Sequence, residues 1–285
     1  MIRLLLLFAL VGCVGGKQTV TSGGSSAANP SAPQRWPISA FPKALMLSNL
    51  FSAAEQTELR RAASSWTSSV ANGANFFNVP AGAAALVTDR SGVANLDSLL
   101  DNTMAIYKAS TWNQELPRTA LAVTQIFGIR HNNGTPSEYV QIIEADVLIN
   151  WSYQFYPTVV SGYDLYSVAL HELGHFLGLG HVYDYNLDSV MFTTIGYSTV
   201  FPGPGADDVS KLRSKYGYGS LMPAAVIAAI STGTGEEEEQ MTHEELMNTG
   251  KGVKILMELH TDGSCVHKVN GKVTKEHPHF LLGLY

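Results

Sequence analysis

The chain has 285 residues, 45% of them hydrophobic and 15% charged, which is ordinary globular composition and enough for one sizeable core. Its net charge of −6, with no basic cluster or stripe, excludes nucleic acid as a partner. Two cysteines, Cys13 and Cys265, predict no internal disulfide, because Cys13 belongs to the leader.

Residues 1–13 read as an export signal. Arg3 precedes an apolar run from Leu4 to Val11 that is too short to span a bilayer. Leu10, Val11, Gly12 and Cys13 resemble a bacterial lipobox, in which Cys13 would be lipidated; a plain signal peptide cleaved nearby is the other reading. The lipobox implies export and a membrane tether, at the outer membrane or cell surface, and the plain signal a secreted or periplasmic protein. Residues 14–35 have the small, polar, Pro-punctuated composition of a flexible linker.

A domain is expected over residues 36–217. Ser52 and Glu55 form a capping-box pattern, and Leu59, Ala62, Ala63, Trp66 and Val70 then recur at helical spacing, predicting an amphipathic helix. Residues 119–130 and 139–150, rich in Val, Ile and aromatics, predict two strands around the turn at His131 to Gly134. Residues 165–177 predict a helix that stops at Gly178, and a last helix runs from Asp207 and Asp208 through Val209, Leu212 and Tyr216 to Gly217. Beyond it, residues 218–250, with the acidic run 236–239, read as a linker. Residues 251–285 read as a small β-meander with turns at Asp262, Gly263 and Asn270, Gly271.

The chemistry sits on the helix predicted at 165–177 and just beyond it, at HELGHFLGLGH, residues 171–181. Histidines four apart on a helix lie on one face, so His171 and His175 can reach a single ion. Glu172, directly after the first, can reach water at that ion without ligating it, which makes it the candidate general base. Gly178 allows the chain to turn sharply and return His181 as a third ligand. Three protein ligands leave a coordination position open, which separates a catalytic zinc site from a structural one.

These eleven residues match the signature of the metzincin metalloproteases at every fixed position, and Met191 resembles that clan's Met-containing turn beneath the metal. Within the clan the chain looks most like a bacterial matrixin-like protease: Glu144 to Asn150 is similar to the matrixin edge strand, and Asp207 to Gly217 to its closing helix. The resemblance implies an α+β, zincin-like domain with a twisted mixed sheet of about four or five strands. It also implies a zinc-dependent endopeptidase with metal ligands His171, His175 and His181, base Glu172, and a protein or peptide substrate lying along an edge strand near Val147 to Asn150. A monomer is expected. A lipid-anchored binding or scaffold protein with a structural or vestigial zinc is the alternative, and a non-matrixin metzincin the nearer competitor.

Two departures concern the substrate pocket. The stretch from His181 to Met191 is longer than the family's usual spacing, and Thr193 and Ile195 stand where a Pro and a Tyr are expected, with Tyr197 the nearest aromatic. Structural zinc or calcium sites are not recognisable; His131 and Asp146 are assigned to neither, and His277 and His279 read as exposed tail residues. With Cys13 in the export signal, no propeptide cysteine remains to cap the zinc, so latency by a cysteine switch is not expected.

Overall fold

A computed structural model describes residues 32–80, 82–156, 161–193, 195–218 and 241–277. The expected leader, most of the linker at 14–35, Cys13, the acidic run 236–239 and His279 lie outside the described residues. Among the described residues, no helix is long and apolar enough to cross a membrane.

In chain order, β1 (Gln34–Arg35), β2 (Lys43–Ala44) and β3 (Met46–Ser48) lead into helix α1 (Ala53–Val70). Then come β4 (Phe77–Asn78), β5 (Leu86–Val87), β6 (Ala105–Ala109) and the long hairpin of β7 (Ala120–His131) and β8 (Tyr139–Asn150). After β9 (Phe155–Tyr156) and β10 (Tyr163–Asp164) the chain forms α2 (Leu165–Phe176), α3 (Ala206–Tyr216) and α4 (His243–Asn248), and finishes in β11 (Gly252–His260), β12 (Cys265–Val269) and β13 (Lys272–His277).

The predicted helices form for the predicted reasons. At the start of α1 the Glu55 amide donates to Ser52 Oγ and the Ser52 amide to Glu55 Oε2, closing the capping box. Leu59, Ala62, Ala63, Trp66 and Val70 are fully buried on one face. Helix α2 starts at Asp164, whose carboxylate accepts the Ser167 amide at 3.0 Å, and it is buried over its whole length. Lying between α1 and the sheet, it has no solvent face, and Trp66 Nε1 ties the two helices by donating to the Leu170 carbonyl at 2.9 Å.

The main sheet runs β13-β12-β11-β7-β8-β6-β3-β5, with β1 added beside β8. Strands β5, β3, β6 and β8 are parallel, and β7, β11, β12 and β13 follow in antiparallel pairs. The α+β class and mixed sheet hold, but among the described residues this sheet has nine strands and not four or five. Strands such as β1 and β5 are two residues long, too short to leave a period in the sequence. The C-terminal meander forms, yet it continues the main sheet through the antiparallel pairing of β11 with β7.

A second correction concerns the substrate strand. Val147 to Asn150 do not lie at an edge: Val147 pairs with Thr124 of β7 on one side and Ile106 of β6 on the other. Residues 145–149 are apolar on both faces except at Asp146, the pattern of an interior strand. The strand on the far side of β8 from β6 is β7, and β11 covers its outer edge.

Candidate metal centre

Helix α2 carries His171 and His175 one turn apart, both buried. At its end the Gly178 amide donates to the His175 carbonyl at 2.7 Å and the Leu179 amide to the Gly174 carbonyl at 2.9 Å. Gly178 has φ +77°, and a Cβ there would strike the Gln34 carbonyl, so both conformation and space call for glycine. The remaining terminal carbonyls are used: Trp36 Nε1 donates to Phe176 O at 2.8 Å and the Tyr216 hydroxyl to Leu177 O at 2.9 Å. The chain then turns back and delivers His181 to the other two histidines.

The three Nε2 atoms lie 3.1, 2.9 and 3.3 Å apart. His171 Nδ1 donates to the Val190 carbonyl at 2.8 Å and His175 Nδ1 to the Leu179 carbonyl at 2.9 Å. That fixes their tautomer: the protons are committed outward, and the Nε2 lone pairs face inward. Facing lone pairs repel, so the 3.1 Å between His171 and His175 is not a hydrogen bond, and the three nitrogens together have the spacing of a ligand set. An ion about 2.0–2.1 Å from each nitrogen at tetrahedral angles sets them about 3.3 Å apart. Burial also pushes His171 down to about 4 and His175 well below the ordinary histidine range, so both present neutral imidazole. His171, His175 and His181 therefore fit zinc.

Glu172 is fully buried beside them. Its Oε2 accepts the Thr124 hydroxyl of β7 at 2.5 Å, and its Oε1 is buried with no hydrogen-bond partner. Burial pushes its pKa up to about 8, with the Thr124 hydrogen bond pulling the other way. A carboxylate held at one oxygen and open at the other is poised to take a proton and give it back.

Met191 is fully buried, its sulfur packed against Gly174 of the histidine helix. A Cβ on Gly174 would collide with Met191 Sδ and come within 3.0 Å of Trp66 Cζ2, so the helix approaches the Met turn only because that position is glycine. The turn is gripped from behind by Asp208 of α3. Its Oδ1 accepts the Ser189 hydroxyl at 2.5 Å, and its Oδ2 accepts the amides of Val190 at 2.7 Å and Gly205 at 2.9 Å. Val190 thus joins Asp208 to His171, its amide on one and its carbonyl on the other.

Past the turn, Thr193 and Ile195 are buried, Thr193 sharing a 3.2 Å hydrogen bond with the Tyr185 hydroxyl. Tyr197 is exposed, its hydroxyl 3.2 Å from Ser161 Oγ. The long loop before the turn presents Tyr183, Tyr185 and Leu187 to solvent. His131 stacks on Tyr139 with ring centroids 4.8 Å apart, and Asp146 is buried mid-strand, accepting the Ala105 amide at 3.0 Å. Neither belongs to a metal-ligating group found among the described residues.

Four residues escaped the sequence reading. Asp208 reads there as a helix-start acid and Thr124 as a strand residue. Cys265 and His267 read as tail, but both reach the histidines: His267 Nε2 lies 2.9 Å from His181 Nδ1, and Cys265 forms a potential metal-holding group with His171 and His181. Only strand pairing brings them there, and no local pattern announces it.

Comparison with known proteins agrees with this geometry. The family model for matrixin, peptidase M10, matches residues 48–217. Metalloendoproteinase 1 of Glycine max is 44% identical over 59 residues, which is 21% of this chain and 19% of that protein. The chain thus spans about a fifth of the length of that relative. The match across 48–217 takes in β5 to β8 of the sheet, the histidine helix, Met191 and α3, and on that extent the chain belongs to the matrixin family.

Proposed function

We propose that the chain is a zinc-dependent endopeptidase that hydrolyses peptide bonds in a protein or peptide substrate, with Glu172 as general base and then general acid. The observation that carries this reading is the convergence of three histidine Nε2 atoms on one point, two of them with lone pairs fixed inward, beside a buried carboxylate with an unpartnered oxygen. When bound, zinc supplies a Lewis acid that polarises the scissile carbonyl and lowers the pKa of water to about 7.

The protein's own groups do the rest. Val190 and Leu179 hold the imidazoles of His171 and His175 at fixed tautomer and angle. Thr124 holds Glu172 Oε2, which leaves Oε1 to accept the proton of the attacking water and pass it to the leaving amine. Burial excludes bulk water from that exchange and strengthens its electrostatics. The same proposal includes export and a lipid tether at Cys13, supported by the lipobox-like leader, and a monomeric enzyme.

The test is cleavage of a mixed peptide library by wild type, Glu172→Ala and a chelated sample, with zinc stoichiometry measured on each. The expected result is one zinc per chain in wild type and Glu172→Ala, with cleavage reduced by about 10²–10⁴-fold in the variant and lost on chelation. Cleavage that survives both treatments refutes the reading.

A further inference from the structure

The C-terminal strands stand where an enzyme of this kind needs open space. Along Gly252–His260, β11 pairs antiparallel with the outer edge of β7, the strand that supplies Thr124 to Glu172. It takes the main-chain groups that an extended peptide would use to add itself to that edge. Cross-strand partners share a face of a sheet, so the register carries further. Thr124 pairs with Met257, which pairs with His267; Ala122 pairs with Leu259, which pairs with Cys265. Thr124 faces α2, and both tail residues therefore face it too.

Their side chains arrive at the metal centre. Cys265 is 1% exposed, and its Sγ lies within 4.8 Å of ligating atoms of His171 and His181. His267 Nε2, at 2.9 Å from His181 Nδ1, is placed to orient the third imidazole as Val190 and Leu179 orient the first two. Glu172 Oε1, next in sequence to His171, is buried and unpartnered, and would have no use in a site closed for good.

Building on the zinc reading above, we propose that Cys265 is a fourth metal ligand in the resting chain and that residues 252–277 occupy the substrate's place, so that most copies of the protease are held latent by their own tail and wild type keeps a residual cleavage. On metal loading the Cys265 S–H bond breaks, its proton leaves to solvent, and the sulfur completes a closed tetrahedral site of three nitrogens and one thiolate. Activation is the reverse: the hairpin leaves β7, the sulfur takes back a proton from solvent, and the fourth position opens to water. Cysteine-based latency, not expected from the leader, enters from the opposite end of the chain.

The full chain loaded with Co²⁺ tests this by absorption spectroscopy, with peptide cleavage by the zinc-loaded protein alongside. Wild type is expected to show a thiolate-to-cobalt charge-transfer band as well as the d–d bands of a tetrahedral site. Cys265→Ala should keep d–d bands, lose the charge-transfer band and cleave peptide at least about tenfold faster than wild type. Should Cys265→Ala fail to fold, the wild-type spectrum alone decides ligation. Wild-type d–d bands without charge transfer overturn this inference and leave the zinc reading standing; absence of cobalt uptake overturns both. A charge-transfer band with no gain in cleavage by a folded Cys265→Ala overturns the latency.

Discussion

Asp208 Oδ1 accepts the Ser189 hydroxyl at 2.5 Å, so α3 grips the chain through a buried carboxylate at Ser189, two residues before Met191. Because Oδ2 takes two further amides, Asp208→Asn keeps its one oxygen for them and turns an NH₂ group toward Ser189 Oγ, so the Ser189 hydroxyl loses its acceptor. The expected loss is about 1–3 kcal/mol and a fall of several degrees in Tm, with weaker zinc retention because His171 hangs from Val190. Calorimetry and zinc titration check this; a variant with wild-type Tm would show that the clamp is dispensable.

Gly174 faces Met191 Sδ and Trp66 with no room for a methyl group. Gly174→Ala would normally help a helix interior, by up to about 1 kcal/mol. Here overpacking opposes it by about 1–3 kcal/mol, so a net loss of stability is expected in urea unfolding. Pairing the variant with Met191→Ala should recover part of that loss, and strictly additive effects would contradict the contact.

Thr124 is the described hydrogen-bond partner of the Glu172 carboxylate. Thr124→Val keeps the shape and removes the donor, leaving both carboxylate oxygens buried without partners. On the proposed mechanism, turnover of a peptide substrate should fall about tenfold or more while zinc stoichiometry stays at one. Unchanged turnover would separate Thr124 from the chemistry.

Glu144 gives a pH dependence that does not involve the metal. It is buried, and burial pushes its pKa up from 4.5 to about 7, opposed by main-chain amides. Its Oε1 and Oε2 accept the Asp101 and Asn102 amides at 2.9 Å each. The folded state therefore holds this proton at a pH where the unfolded chain has released it. Stability should fall as pH rises from about 4.5 to about 7, with the full penalty present above that window. Glu144→Gln should flatten this decline in denaturant titrations across those pH values; parallel curves for the two proteins would rule it out.

Local residue order is enough to set the parts of this protein that depend on near neighbours. The capping box of α1, the stripe from Leu59 to Val70, the i, i+4 pairing of His171 with His175 and the stop at Gly178 follow from helical period and backbone freedom, which local residue order contains. Only long-range packing sets which strand is interior, why Asp208 is buried, and what lies over the three histidines. Val147 to Asn150 have a strand pattern wherever they sit, but only pairing with β6 and β7 takes them out of the edge. Cys265 lies 84 residues beyond His181 in the chain and reaches it because β11 adds to β7 in one register. A shift of one residue would turn Cys265 and His267 to the opposite face, and that choice is made by packing across the whole sheet and not by any stretch of sequence.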